Sequence, residues 1–295
     1  MKVTVRVPAT AANLGPGFDC FGLALDLCNE ITADTGTGPG VTWEGEGAGE
    51  LPTDGSDLVS RTIAQVASFH HLTVPPLHLS SVNRIPLQRG LGSSSAAAVA
   101  GVVLGSRLFD LSIDGHNSTA GRDPYSVFAL AAEIEGHPDN AAAAAFGGFT
   151  LAMPEGLVHR LDPHPDLRPV VLIADGVRLP TARARRALSH DVPRVDAVFN
   201  AAHAALMVEA ITRDPSLLRT AIRDRLHQET RLAMVPSVSA IFRAMREADV
   251  PVCVSGSGPS LLAFESDRHP IPDAGEGWTV IRPGVRATGF EVISE

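Results

Sequence analysis

The sequence predicts a mixed α+β or α/β fold, and three observations carry that prediction. Short apolar runs with strand-like alternation are interleaved with longer runs of helical spacing along the whole chain. Three glycine-rich turns each follow a predicted strand or open a predicted helix. A proline-rich segment, 154–169, offers a boundary between two units, residues 1–160 and 161–295, and 295 residues are enough for two domains with separate cores.

Taken in order, Val3, Val5 and Val7 share one face of an opening strand, and Phe21 to Leu27 is a second apolar stretch. Residues 34–57 hold seven glycines with Pro39 and Pro52, which predicts strand and turn with little helix. Leu58 to Phe69 has helical spacing, with Leu58, Ile63, Val66 and Ala67 on one face. Leu77, Leu79 and Val82 alternate as a strand towards Ile85-Pro86, and a helix is expected over Ser94 to Phe109. Tyr125 to Glu135 forms another helix, stopped at Gly136-His137-Pro138 because proline disfavours helix in the residue before it. Helix restarts over Asp139 to Ala145, and Gly147-Gly148 turns it into a strand, Phe149 to Met153. In the second half Val170 to Ala174 reads as a buried strand, and Asp196 to Ile211, Ser216 to Leu226 and Ser237 to Ala248 as helices. Two strands, Val250 to Val254 and Leu261 to Phe264, flank the last glycine turn, and weaker ones are expected at Trp278 to Ile281 and Ala287 to Val292.

Composition narrows the function classes. A net charge of −9 without a basic run repels a nucleic-acid backbone, so nucleic acid is not an expected partner. The most apolar stretch noted, Ala96 to Leu104, is far below the roughly 20 residues a bilayer span needs, and the opening Met-Lys-Val-Thr-Val-Arg lacks a signal-peptide core. The expectation is a cytoplasmic protein with no membrane partner. Cys20, Cys28 and Cys253 have no metal-ligand spacing and are expected to be reduced, packed thiols.

The run Arg89-Gly90-Leu91-Gly92-Ser93-Ser94-Ser95-Ala96 carries the most chemistry. Glycines opening onto hydroxyl residues and an alanine-rich helix offer a triphosphate free N–H groups, the positive end of a helix and hydroxyls for a magnesium ion. Lys2 is the only lysine of the chain, so no mechanism can use a phosphate-loop lysine. Alone, the run equally describes a well-capped helix start. Two further segments stand with it: Pro8-Ala9-Thr10-Ala11-Ala12-Asn13-Leu14-Gly15-Pro16-Gly17-Phe18-Asp19 and Ser255-Gly256-Ser257-Gly258-Pro259-Ser260.

These three segments, in this order, resemble the GHMP kinase superfamily, and the first resembles its homoserine kinase branch. The resemblance implies a ribosomal-S5-like N-terminal domain and a ferredoxin-like C-terminal domain with the site between them. It implies ATP and Mg²⁺, and L-homoserine as the second substrate in a step toward threonine. The implied nucleotide residues are Pro86, Arg89 to Ala96, Asp57 and Leu58. Ser94 and Glu133 are the implied metal ligands. Glu135 lies on a different helix face as the near alternative, while composition alone favours a solvated Glu133. At the turn His137-Pro138-Asp139-Asn140, Asp139 and Asn140 are expected to position the reacting hydroxyl, with Asp139 also able to act as general base if it comes within hydrogen-bond reach. The amino-acid ends map onto Arg185, Arg231, Asn13, Asp19, His137 and Gly256, with Arg183 and Arg186 competing with Arg185, and His203 is expected to be structural.

The chain departs from the family pattern at three places. Ala11 stands for Ser, Glu229-Thr230 for Pro-Tyr before Arg231, and Asp57 for Asn at the adenine pocket. These leave phosphoryl transfer intact and bear on substrate choice, so a kinase for another small alcohol and a non-catalytic sensor stand as alternatives. A homodimer is compatible with the sequence.

Overall fold

A computed structural model of the chain describes residues 1–111 and 127–294, so the expected helix start at Tyr125 lies outside the described residues. The main sheet has the strand order β11-β1-β2-β4-β3, from β1 (Lys2–Ala12), β2 (Phe21–Asp34), β3 (Gly40–Gly45), β4 (His78–Asn83) and β11 (Glu291–Ser294). A hairpin of β5 (Phe149–Ala152) and β6 (Val158–Leu161) adds to β2, and β6 falls inside the proline-rich segment. Val3, Val5 and Val7 are buried as the alternation predicts.

Helices α1 (Leu58–Phe69), α2 (Ser93–Leu108), α3 (Val127–Glu135) and α4 (Pro138–Phe146) cover this sheet, with α2 and α4 lying directly on β1. Small residues permit that close stacking, since Ala96, Ala98, Ala100 and Ala141 to Ala144 are all fully buried.

The second sheet has the order β10-β7-β9-β8, built from β7 (Pro169–Ala174), β8 (Val252–Val254), β9 (Leu261–Phe264) and β10 (Trp278–Ile281), all antiparallel. Its residues divide by the period of two. Val171, Ile173, Leu262 and Phe264 join the large core, while Val170, Leu172, Leu261 and Ala263 form a second cluster with Val238, Phe242 and Met245 of α9 (Pro236–Glu247).

Several expectations are corrected. The helix expected over Ser216 to Leu226 is only a 3-10 turn, Pro215–Leu217, followed by α7 (Leu218–Ala221). The cause is Asp224, whose carboxylate accepts the backbone N–H groups of Leu226, His227 and Gln228 and so starts a separate helix, α8 (Gln228–Ala233). That helix and α5 (Thr181–Arg186) are too short for periodicity to reveal. The tail strand lies at 291–294 rather than 287–292, and it pairs with β1. The longest helix, α6 (Arg194–Thr212), is long and apolar enough by length and composition to cross a bilayer, which the estimate from Ala96 to Leu104 overlooked. It buries Met207, Ala210 and Ile211 in the core and leaves Val195 and Val198 exposed.

Candidate active site

The three glycine turns meet at one cleft of about 290 Å³. After β1 come Asn13, Leu14 and Gly15, all in the left-handed region with φ of 68°, 45° and 78°. Two of these are not glycine, and such strain persists where surrounding contacts impose it. Here the Asn13 amide donates to the Gly256 carbonyl at 2.9 Å, and the Gly256 N–H donates to Ala12 at 3.1 Å. The Ser255 hydroxyl reaches the Gly90 carbonyl at 2.7 Å, tying the third turn to the phosphate loop.

Glycine is required twice in that loop. Gly90 has φ +74° and packs on the Ser255 carbonyl, while Gly92 has φ +68° and packs on the Thr10 hydroxyl, so a Cβ at either position collides. Gly92 caps α2 without any side-chain hydrogen bond, so the first N–H groups of the helix have no side-chain cap, and the residues carrying them, Ser93 to Ser95, line the cleft. Arg89, Leu91 and Pro86 line it as well, whereas Ala96 is fully buried beneath and does not.

The hydroxyls of Ser94 and Ser95 both donate to Glu135 Oε2, at 2.9 and 2.6 Å. Glu135 lines the cleft; Glu133 is exposed and does not. The two are about 200° apart around α3, so packing of Val127, Leu130 and Ala131 inward leaves only one of them facing α2. The expected carboxylate is therefore corrected from Glu133 to Glu135. Among the described residues no cluster of three or more His, Cys, Asp or Glu forms a protein-only metal cage. One carboxylate beside serine hydroxyls is the hard-oxygen donor set Mg²⁺ accepts when phosphates and water complete its shell, so these residues fit that ion.

Beyond the serines the cleft turns apolar, with Ile31, Trp43, Leu51 and Leu58 on its walls. Asp57 stands here, 4 % exposed; one oxygen caps α1 through Ser60 N–H at 2.9 Å and, among the described residues, the buried Oδ2 has no partner. Trp43, on β3 and held by its indole N–H on the Pro52 carbonyl at 2.8 Å, is not singled out by the sequence, which predicts strand and turn here without assigning a role to its side chain.

At the opposite end α4 presents Asp139, 3 % exposed, whose carboxylate accepts the Asn140 N–H at 2.8 Å. Burial raises its pKa to about 6, with the Asp19 charge adding to the effect. The Asn140 amide oxygen accepts from Thr10 at 2.8 Å directly behind Gly92, which fixes the α4 turn against the phosphate loop. His137 lines the cleft with Nδ1 at 2.8 Å from the Glu135 carbonyl.

Asp19 and Arg185 form a bidentate pair at 2.7 and 2.9 Å, and the Asn13 side-chain oxygen accepts the Asp19 N–H at 2.9 Å. Arg183 and Arg186 are exposed and do not line the cleft, so Arg185 is the arginine that α5 presents to it, beside Thr181. Arg231, 4 % exposed, donates to the Gly256 carbonyl at 2.6 Å and to His227 Nδ1 at 3.0 Å. Because a guanidinium can only donate, His227 Nδ1 is the acceptor, and the proton sits on Nε2, which donates to Gly15 at 2.8 Å. Burial lowers the His227 pKa to about 4 and that of Arg231 to about 10, leaving a neutral imidazole and a charged guanidinium at neutral pH. Asn200 completes the network by donating to Asp224 at 2.7 Å. His227, Asp224 and Asn200 were not singled out from sequence. Phe18 stacks on His227 with ring centroids 5.3 Å apart, and both guanidiniums lie over the Phe18 ring. His203 stacks on Phe199 of its own helix and does not line the cleft. Of the family departures, Ala11 is fully buried and Glu229 is exposed, and neither lines the cleft.

The sequence patterns of the GHMP kinases N terminal domain and the GHMP kinases C terminal domain match residues 57–148 and 206–278. A homoserine kinase from Streptomyces avermitilis is 43 % identical over 302 residues, covering 99 % of this chain and 95 % of its own. One from Clavibacter michiganensis subsp. michiganensis is 40 % identical and covers 100 % and 87 %. The chain belongs to the homoserine kinase family of the GHMP kinases. A crystal structure of homoserine kinase from Cytophaga hutchinsonii superimposes with a TM-score of 0.82 at 26 % identity, over 99 % of this chain and 97 % of that one. The two-domain GHMP kinase fold follows. The uncapped helix start at Ser93 sits with the Asp19, Arg185 and Arg231 charges in a single cleft.

Proposed function

We propose that the chain transfers the γ-phosphoryl group of ATP to the side-chain hydroxyl of L-homoserine, releasing ADP and O-phospho-L-homoserine. The observation that carries this is one cleft with a serine-rich helix N-terminus in the middle and three charged groups, the Asp19–Arg185 pair and Arg231, at one end. That end suits a zwitterion. The substrate ammonium rests on Asp19, and the carboxylate takes N–H groups of Arg185 and Arg231, whose Nε atoms are both buried without partners among the described residues. The apolar end takes the base, where Asp57 Oδ2 accepts an N–H from its edge.

Phosphoryl transfer asks for position and charge neutralisation more than covalent chemistry. Asp139 accepts the hydrogen bond of the substrate hydroxyl and takes its proton as the new O–P bond forms and the bond from Pγ to the bridging oxygen breaks. Asn140, braced by Thr10, holds that turn against the loop, and the α2 N–H groups neutralise charge on the phosphates. Glu135 and Ser94 would hold Mg²⁺, which supplies Lewis-acid neutralisation of the triphosphate. We read residues 1–160 and 161–295 as the two domains, in a cytoplasmic enzyme.

Measuring ADP release against a panel of alcohols tests the reading. L-Homoserine is expected to support turnover, L-serine far less, because one methylene fewer leaves the hydroxyl outside the roughly 3–3.5 Å of near-attack geometry, and mevalonate or galactose essentially none. A sugar or isoprenoid alcohol outpacing homoserine would overturn it, and tight ATP binding without any turnover would favour a sensor.

The arginine pair gives a separable expectation. Arg185→Leu or Arg231→Leu should raise the homoserine KM by one to two powers of ten, about 1.5–3 kcal/mol for a charge-assisted contact, with KM for ATP nearly unchanged. Equal losses for both substrates would mean that folding or nucleotide binding had been damaged instead. A homodimer is also proposed, with the exposed Val195 and Val198 face of α6 as its surface. Val198→Glu should then sediment as monomer where the parent chain sediments as dimer.

A further inference from the structure

A second cavity, about 260 Å³, lies away from the cleft between the end of α9 and the segment after α7. Its walls hold three guanidiniums, Arg219, Arg223 and Arg246, and one carboxylate, Asp249. Asp249 is already paired with Arg219. Among the described residues, Arg223 and Arg246 have no carboxylate partner and lean on the faces of Phe199 and Phe242, at 5.3 and 6.0 Å to the ring centroids. In a chain of net charge −9 this is a local reversal of sign. Burial, then the neighbouring Arg223 and Arg219, hold the Arg246 pKa below its usual value, and Glu229 offsets this only in part. An anion in the cavity relieves that repulsion.

The position of the cavity connects it to the substrate end. Its wall includes Ile222, whose carbonyl packs against Gly15 so closely that a Cβ there has no room. Two residues further on, Asp224 starts α8, which carries Arg231, and His227 of the same segment hydrogen-bonds the Gly15 carbonyl at 2.8 Å. Ile222 and Arg223 at the start of this segment therefore line the cavity, and Asp224 and His227 just beyond them set the place of Arg231.

We propose that this cavity is a binding site for a phosphate group, free or as a monoester, and that its occupancy alters the affinity for the amino-acid substrate through residues 222–231. A phosphate oxygen set matches two unpaired guanidiniums bidentately, which chloride and monocarboxylates cannot do as fully. The coupling arm rests on the homoserine reading above; the binding arm does not.

The test uses the full chain with its main cleft saturated by Mg²⁺, a non-hydrolysable ATP analogue and homoserine, at constant ionic strength. Inorganic phosphate and O-phosphoserine are titrated separately by calorimetry into the parent, the Arg223→Gln/Arg246→Gln double variant, and Arg243→Gln. Arg243 serves as control because it is exposed on α9, outside the cavity, and donates to Ser239. Saturable binding is expected in the parent and the control, weakened about ten-fold or more in the double variant. The tighter of the two titrants identifies free phosphate or a monoester as the source. Homoserine KM should shift with that titrant in the parent but not in the double variant, while turnover without it stays the same in both. Equal binding in the double variant, or no saturable binding of either titrant, overturns the site; binding without any change in KM overturns the coupling.

Discussion

Glu135→Ala should lower kcat by about 10²–10³-fold with the fold intact, whereas Glu133→Ala should leave kcat within about two-fold. The asymmetry follows from charge. The chain has no phosphate-loop lysine, so the proposed phosphoryl transfer leaves neutralisation of the triphosphate to a helix end, arginines and a metal ion. Glu135 is the carboxylate that reaches Ser94 and Ser95, at 2.9 and 2.6 Å, while Glu133 projects to solvent. A second readout separates metal binding from general damage. The Mg²⁺ concentration for half-maximal rate should rise sharply in Glu135→Ala and stay unchanged in Glu133→Ala, at equal thermal midpoints. A larger loss at Glu133 would reverse the assignment.

That single residue shows where sequence reasoning reaches its limit. The motif placed a metal carboxylate on the helix before His137, and both candidates lie in Ala132-Glu133-Ile134-Glu135-Gly136. Which one faces the serines is decided by how α3 packs against α2, a tertiary contact between residues about forty positions apart. Local signals were read well. Leu58 to Phe69 is α1 to the residue, because Asp57 caps it and its apolar spacing is regular. The three glycine turns proved to be the cleft because glycine was needed at Gly90 and Gly92 for both φ and room.

The support of Arg231 was hidden for the opposite reason. Asn200, Asp224 and His227 each look like ordinary polar residues, and their meaning depends on a network spanning α6, the loop after α7 and the Gly15 turn. Only the folded chain shows that a neutral His227 accepts from Arg231 and donates to Gly15, or that Glu229 is exposed and stands outside the cleft. The tail strand is similar, since its pairing with β1 joins opposite ends of the chain.

Asp139→Asn should abolish most turnover and, at the same time, stabilise the protein at neutral pH. The carboxyl is held at about 6 instead of 3.8, mainly by burial, so keeping it ionised costs the folded state about 3 kcal/mol at pH 7. Below about pH 4 the group is protonated in both states and the cost is absent; as pH rises toward about 6 the unfolded chain ionises first, so stability falls through that window and is level above it. Asn keeps the oxygen that accepts from Asn140 and removes the charge, so its thermal midpoint should exceed the parent's at pH 7 and match it near pH 4. Activity must run the other way. In the parent kcat/KM should fall as pH drops through about 6, because a protonated Asp139 cannot take the proton of the substrate hydroxyl. Loss of a base and positioning group is worth about 10²–10⁴-fold, so the Asn variant should be slow at every pH and show no such inflection. An Asn variant that turned over normally, or that melted below the parent at pH 7, would mean that Asp139 is an ordinary cap of α4 rather than a buried charge kept for the reaction.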